Sequence, residues 1–137
     1  MGEVKQVLLD WSSRGMVFSG GASGKPAMTI DGNGREAPSP VETLLLAVAA
    51  CTGSDVVSIL EKKRLKLEQL RVEVNGERRD EYPRRYVRLA LVFHVRSPGA
   101  TETQVRQAID LSLEKYCSVS HSLNPDIPIT YDLVLQA

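Results

Sequence analysis

The sequence contains only two cysteines and two histidines in 137 residues. Two thiols do not make the disulfide framework of a small secreted protein, and in a reducing compartment they are more often catalytic, metal-binding or simply buried. An excess of one charge is also lacking, because seventeen basic and seventeen acidic residues cancel. This balance argues against a nucleic-acid partner and against binding to an anionic membrane surface.

Long hydrophobic runs are absent too. The longest uninterrupted run, Leu44 to Cys51, is far too short to cross a bilayer, and Met1 to Asp10 has no apolar segment of the secretory type. The sequence has no phosphate-binding glycine loop and no Gly-x-Ser-x-Gly elbow, so nucleotide hydrolysis and serine esterase chemistry are not supported. We therefore predict a cytoplasmic protein without a membrane partner, built as a single domain over residues 1–137.

The order of predicted elements indicates an α+β fold. Apolar stretches between residues 4 and 31, broken by glycine and serine, predict three short strands. Strands that are grouped, not alternated with helices, are typical of this class. The remaining predictions are a long helix from Val41 to about Arg64, a hairpin of strands at 67–78 and 86–96, a helix from the capping box at Thr101 to Cys117, a helical turn within 118–124 and a final strand from Ile127 to Leu135.

The long helix has a sharp predicted start and an unusual surface. Ser39 suits the N-cap, Pro40 the first helical position, and Glu42 the reciprocal place in a capping box. Beyond this start, apolar residues occur on both sides of the helix, which predicts burial on both sides. One small sheet covers only one side, so we expect a homodimer to cover the other.

Cys51 lies in the middle of this helix, on the same side as Asp55. A free cysteine often acts only as a small buried hydrophobe, whereas an acid on an apolar helix side needs a partner, either an arginine or a dimer contact. Cys51, Cys117 and His121 are a poor zinc pattern because no Cys-x-x-Cys pair is present. We predict no metal and no cofactor.

Two segments together resemble a known family. The run Pro-x-Glu-x-Leu-Leu-Leu-Ala-x-Ala-Ala-Cys at 40–51 and the Tyr-Cys-Ser-Val-Ser run at 116–120, with the order of elements and the chain length, resemble the OsmC/Ohr family of hydroperoxide-resistance proteins. The likeness covers most of the chain. It implies an intertwined α+β homodimer with the long helices at its centre, active sites at the subunit interface, and a role in the stress response.

The resemblance also implies a chemistry and its residues. Cys51 would be the peroxidatic cysteine, which attacks an organic hydroperoxide as a thiolate and becomes a sulfenic acid. Cys117 would be the resolving thiol, and the disulfide formed would be opened by an external dithiol reductant. The expected substrate is a small apolar hydroperoxide. Since the two cysteines lie far apart in the sequence, their pairing is implied by the resemblance alone.

Peroxide-reducing members of the family also use an arginine held by a glutamate. Arg35 is our candidate for the arginine, with Arg14 a weaker alternative, and Glu42 is the candidate for the acid. In the well-known peroxidases the glutamate directly follows the proline of an Asn-Pro-Glu motif, whereas here Val41 stands between them in a divergent Ser-Pro-Val-Glu form. The capping role explains Glu42 equally well.

Two functions remain open at this point. The first is thiol-dependent reduction of organic hydroperoxides. The second is a module of the same fold that binds a small molecule or senses redox state without turnover. A peroxidase consumes hydroperoxide over many cycles, whereas such a module shows at most one equivalent of thiol oxidation.

Overall fold

The computed structural model describes residues 2–136 of the chain. The chain divides into two compact units, Met1–Leu44 and Leu45–Ala137. The α+β class and the long helix predicted from the sequence are confirmed. The elements in chain order are β1 (Leu8–Trp11), β2 (Val17–Gly21), β3 (Met28–Asp31), α1 (Pro40–Lys62), β4 (Gln69–Arg78), β5 (Tyr86–Arg96), α2 (Glu102–Leu111), a π-helical turn (Ser112–Tyr116), α3 (Ser118–His121) and β6 (Ile129–Gln136).

The first unit is built on the three predicted strands. They form one antiparallel sheet in the order β1-β2-β3. The loop that follows β3 is organised by the buried carboxylate of Asp31, which accepts hydrogen bonds from the backbone N–H groups of Asn33, Arg35 and Glu36. These bonds fix the backbone of the loop that leads to the long helix.

Helix α1 begins where its capping signals predicted. The backbone N–H of Ser39 donates to the Glu42 carboxylate at 2.9 Å, and the N–H of Glu42 donates to the Ser39 hydroxyl at 3.2 Å. Two of the N–H groups that a helix start leaves without helical partners are thereby satisfied. The helix ends at Lys62, and Arg64 follows with a positive φ of 58°.

One stripe of α1 lies in the core. Its buried members lie at helical spacing; they are Val48, Thr52, Gly53, Val56 and Leu60. The other side is less covered, since Leu46 is 52% exposed. The expectation that both sides are buried therefore still depends on the predicted homodimer.

The second unit holds a three-stranded sheet in the order β4-β5-β6. Strands β4 and β5 form the predicted antiparallel hairpin, and β6 pairs in parallel with β5. Helix α1 crosses the sheet closely at Gly53, where an added Cβ would lie 3.7 Å from the side chains of Leu70 and Val72. Alternate residues of β5 form the floor of the core, and the fully buried ones are Leu89, Leu91, Phe93 and Val95.

The parallel pairing of β6 requires a crossover, which α2, the π turn and α3 supply. The capping box predicted at Thr101 is present, with Gln104 as its reciprocal partner. The sequence placed Cys117 at the end of this helix, and Cys117 does follow its last turn. The widening of that turn from α to π geometry was not foreseen.

Helix α1 has 23 residues and, by length and composition alone, is long and apolar enough to cross a bilayer. The uninterrupted apolar run from Leu44 to Cys51 is much shorter than the whole helix, so the run by itself did not predict a helix of membrane-spanning length. One such helix is weak evidence, because the core helix of a soluble protein meets the same criteria. The cytoplasmic location stays a prediction.

Candidate thiol site

The second unit brings the two cysteines together. Cys51 lies about three turns into α1, and Cys117 lies between the π turn and α3. Both are free thiols, and they lie close enough for each to shift the pKa of the other. The structure thus brings together the two cysteines whose pairing only the resemblance implied.

Cys117 is surrounded by hydrogen-bond donors. It is fully buried, and its sulfur accepts bonds from the Thr52 hydroxyl and the Ser120 backbone N–H, each at 3.4 Å. The Ser120 hydroxyl lies against both the sulfur and the carbonyl oxygen of Cys117. Burial alone would raise the pKa of Cys117, but the bonds from Ser120, Thr52 and Cys51 lower that pKa below its ordinary value.

The pKa of Cys51 is shifted in the opposite direction. Its side chain is half-buried, and burial raises the pKa of its thiol. The Val119 backbone N–H lowers the pKa, whereas the hydrogen bond to Cys117 and the nearby Asp55 carboxylate raise it further. The two thiols of the pair are therefore chemically unequal, and Cys51 retains its proton more strongly.

The π turn fixes the position of Cys117. Its first residue, Ser112, accepts the Cys117 backbone N–H on its carbonyl oxygen at 2.7 Å. The hydroxyl of the same buried serine donates to the Asp55 carboxylate at 2.8 Å. Helix α1 and the segment that carries Cys117 are therefore joined by a polar contact as well as by the thiols.

Sequence reasoning did not identify the partner of Asp55. The sequence suggested an arginine or a dimer contact, but the acceptor is satisfied by Ser112 within the same unit. Thr52, Ser112 and Ser120 were all missed as site residues. A signal was available, because a hydroxyl within an apolar helical stripe must find a hydrogen-bond partner when it is buried.

The other predicted site residues lie in the first unit. Arg35 and Glu42 are both exposed, and no ion pair joins them within residues 2–136. The Glu42 carboxylate binds the N-cap of α1 and lies 3.6 Å from the point where a Cβ on Gly34 would stand, directly before Arg35 in the chain. The weaker candidate Arg14 is paired with Glu36.

A metal ligand set is not found in the part of the chain that the structure describes. Between residues 2 and 136, no group of three histidine, cysteine, aspartate or glutamate side chains could hold an ion. The ring Nε2 of His121 is hydrogen-bonded to the carbonyl oxygen of Leu113 at 2.9 Å. The site is therefore described by its thiols and their hydrogen-bond donors.

A cavity of about 370 Å³ opens beside Asp55. Neither cysteine lines it, so it adjoins the thiol pair without containing it. Its walls are formed by Asp55, Ser58, Ile59, Lys62, Lys63, Leu111 and Tyr116.

Known proteins share the sequence pattern and the fold of this chain. The sequence model of the family described as OsmC-like protein matches residues 32–132, which is most of the chain. The chain belongs to the OsmC-like protein family. The resemblance drawn from the residues is thereby confirmed.

Individual relatives agree with this assignment. The chain is 40% identical to protein YhfA of Escherichia coli K12 over 118 residues, which cover 85% of this chain and 88% of YhfA. A hypothetical protein from Aquifex aeolicus VF5 with a known crystal structure is 30% identical to this chain in sequence. The two structures have a TM-score of 0.83 over 99% of this chain and 100% of that one. The organic hydroperoxide resistance protein OhrB of Bacillus subtilis shares the fold at 13% identity, with a TM-score of 0.62 over 96% of this chain and 98% of that one.

Proposed function

We propose that this protein is a thiol-dependent reductase of organic hydroperoxides. The observation that carries the proposal is the proximity of Cys51 and Cys117, which lie far apart in the sequence but close enough in the fold for each to shift the pKa of the other. A resolving thiol must reach the oxidised one without a large movement of the backbone, and the proximity of the two cysteines supports this step. The fold shared with OhrB, whose name refers to organic hydroperoxide resistance, supports the same chemistry.

The two cysteines take different roles in the proposal. Cys51 is half-buried, so a substrate reaches it more readily than it reaches the fully buried Cys117. The Cys51 thiolate attacks the terminal peroxide oxygen and breaks the O–O bond, which oxidises the sulfur to a sulfenic acid and releases the alkoxide, protonated to the alcohol. The Cys117 thiolate then attacks the sulfenic sulfur, expels hydroxide and forms the disulfide.

An external dithiol closes the cycle. One of its thiolates attacks the Cys51–Cys117 disulfide, the second completes the exchange, and the dithiol leaves oxidised while both protein thiols are restored. Each cycle therefore consumes one hydroperoxide and one dithiol.

Arg35 and Glu42 belong to the same proposal as assisting residues. A cation near the attacking sulfur favours the thiolate, and a neighbouring carboxylate can hold that cation in place. The position of the Glu42 carboxylate beside residue 34 supports a pairing with Arg35, the next residue in the chain. The capping bonds of Glu42 occupy only part of the capacity of its two oxygens.

The proposal is tested by dithiol-dependent consumption of cumene hydroperoxide, compared with hydrogen peroxide, under multiple-turnover conditions. We expect the wild type to consume many equivalents and to prefer the organic peroxide. Cys51→Ser is expected to reduce the rate to the uncatalysed background, because serine cannot accept oxygen from the peroxide. Ser54→Ala is the matched control, since Ser54 is exposed on the same helix and its hydroxyl donates to the backbone carbonyl of Ala50.

Two results would overturn the proposal. Turnover that persists in Cys51→Ser would place the chemistry elsewhere. Oxidation that stops at one equivalent in a folded wild type with dithiol present would favour the binding or redox-sensing module instead.

A further inference from the structure

A buried serine at the start of the π turn is bonded to two parts of the thiol site. The Ser112 hydroxyl donates to the Asp55 carboxylate on α1 at 2.8 Å. The Ser112 carbonyl oxygen accepts the backbone N–H of Cys117 at 2.7 Å. Because Ser112 is fully buried, bulk water does not compete with these partners. One residue therefore connects the helix that carries the first cysteine to the backbone of the second.

Both ends of this connection lie close to a cysteine. Asp55 follows Cys51 by four residues on α1, so the two side chains lie on the same face of the helix, about 6 Å apart along its axis. Cys117 follows Ser112 by five residues, and the hydrogen bond between their backbones closes the single π turn. The bond between Asp55 and Ser112 is therefore one helical turn from each cysteine.

The segment around Cys117 depends on contacts of this kind. Helix α3, which follows it, has only the four residues Ser118–His121, and so short a helix is not stable by itself. The Thr52 hydroxyl also joins α1 to Cys117, but it donates at 3.4 Å to a sulfur atom, which is a weak acceptor. The bond from Ser112 is shorter and its acceptor is a carboxylate, so it is the stronger attachment of the two.

We propose that Asp55 and Ser112 are positioning residues for the formation of a disulfide between Cys51 and Cys117. Their hydrogen bond holds the π turn against α1, and the π turn holds Cys117 near Cys51. A second thiol that is kept in place reacts at a higher effective concentration than one on a mobile segment. Asp55 and Ser112 contact neither the oxidant nor the reacting sulfur atoms in this proposal.

The assisted step occurs in two reactions. With glutathione disulfide, the two protein thiols are oxidised to the Cys51–Cys117 disulfide, and one glutathione disulfide is reduced to two glutathione thiols. In the peroxide reaction, which rests on the proposed function, Cys117 attacks the sulfenic sulfur of Cys51, the S–S bond forms, the S–O bond breaks and hydroxide leaves. The first reaction requires no peroxide and therefore tests the positioning role by itself.

The first experiment equilibrates the reduced full-length protein with glutathione buffers of known composition and measures the fraction of Cys51–Cys117 disulfide by mass spectrometry. Ser112→Ala and Asp55→Ala each remove the hydrogen bond, and we expect each to lower the equilibrium constant for disulfide formation about fivefold. Asp55→Asn retains a side-chain oxygen that can accept the Ser112 hydroxyl, so its equilibrium constant should stay close to that of the wild type.

Tyr131→Phe is the matched control. The Tyr131 hydroxyl also donates to a carboxylate at 2.8 Å, that of Asp110, but this bond joins β6 to α2 and does not involve α1. Its loss should leave the equilibrium constant unchanged. Circular dichroism of each variant checks the fold, and Asp55→Ala decides the question if Ser112→Ala does not fold, because Asp55 is only half-buried. Alanine variants with the equilibrium constant of Tyr131→Phe would overturn the inference.

A second experiment separates the steps of the peroxide reaction. One equivalent of cumene hydroperoxide is added, and the sulfenic acid of Cys51 is trapped with dimedone at successive times. In Ser112→Ala the sulfenic acid should form at the wild-type rate but persist about tenfold longer, because only the second step needs Cys117 in place. Equal slowing of both steps, or a sulfenic acid as short-lived as in the wild type, would overturn the inference. A wild type that does not react with the peroxide would refute the proposed function, and the glutathione experiment would then decide the positioning role alone.

Discussion

Thr52 occupies a position on the buried stripe of α1 that valine would fill with almost the same volume. What threonine adds is one hydroxyl proton, and the structure directs it to the Cys117 sulfur at 3.4 Å. The Ser112 hydroxyl donates to the Asp55 carboxylate, and the Ser120 backbone N–H donates to the Cys117 sulfur. Hydrogen bonds from Ser120 and Thr52 thereby lower the pKa of Cys117, whereas burial raises the pKa of Cys51.

Glu42 can be tested for a role beyond its cap. Glutamine at this position keeps a side-chain oxygen that accepts the Ser39 N–H, so Glu42→Gln should leave the thermal unfolding midpoint near that of the wild type. The same change removes the charge proposed to hold Arg35. We expect peroxide turnover to fall about tenfold, as measured by steady-state kinetics with saturating dithiol.

Glu102→Gln provides the comparison, because Glu102 is also an exposed acid in the first turn of a helix but belongs to α2. Its turnover should equal that of the wild type. If Glu42→Gln also matches the wild type, Glu42 serves only as a helix cap.

The elements around the thiols are held by close packing. Helix α1 packs closely against the sheet at Gly53. In the hairpin, the ring of Tyr86 packs against Gly76, which has no side chain to exclude it. The π turn fixes the position of Cys117 next to α1, because the Ser112 carbonyl oxygen accepts the Cys117 backbone N–H. Insertions of this kind within helices are often found at functional sites.

Gly76→Ala tests the packing of the hairpin. A Cβ at this position would lie 2.5 Å from the buried Tyr86 ring and 3.0 Å from the Leu45 side chain, so the core must shift to admit it. We expect a loss of about 1–3 kcal/mol in the free energy of unfolding, measured by urea denaturation.

Gly99→Ala is the control for this measurement. Its added Cβ would meet the Leu65 side chain at 3.9 Å, an ordinary contact, and stability should change little. A Gly76→Ala variant as stable as Gly99→Ala would mean that the Tyr86 ring does not fill the space above residue 76.

The predicted homodimer would cover the exposed side of α1. Leu46 is 52% exposed on a helix whose composition predicts burial on both sides. We expect the purified protein to sediment as a dimer at micromolar concentration, and Leu46→Glu to shift it toward the monomer by placing a charge on the covered face.

Ser58→Glu introduces the same charge on the same helix, about 120° away at 3.6 residues per turn, and should leave the dimer intact. A wild type that sediments as a monomer would contradict the prediction. Equal sedimentation of the two variants would place the contact on another face.

The sequence by itself determined the local structure of this protein. Capping residues such as Ser39 and Thr101 act on their own helix starts, and the alternation in β4 and β5 reflects burial on one face, so both can be inferred from neighbouring residues. The motifs around Cys51 and Cys117, together with the order of elements and the chain length, also indicated the family.

Only the tertiary structure decided which distant residues meet. Cys51 lies near Cys117, the Thr52 hydroxyl donates to the Cys117 sulfur, and the Ser112 hydroxyl donates to Asp55. All three relations join α1 to the crossover segment. Their formation depends on the parallel pairing of β6 with β5 and on one widened helical turn. These arise from the packing of the whole unit, because hydrogen bonds between separate elements depend on geometry that no local pattern encodes.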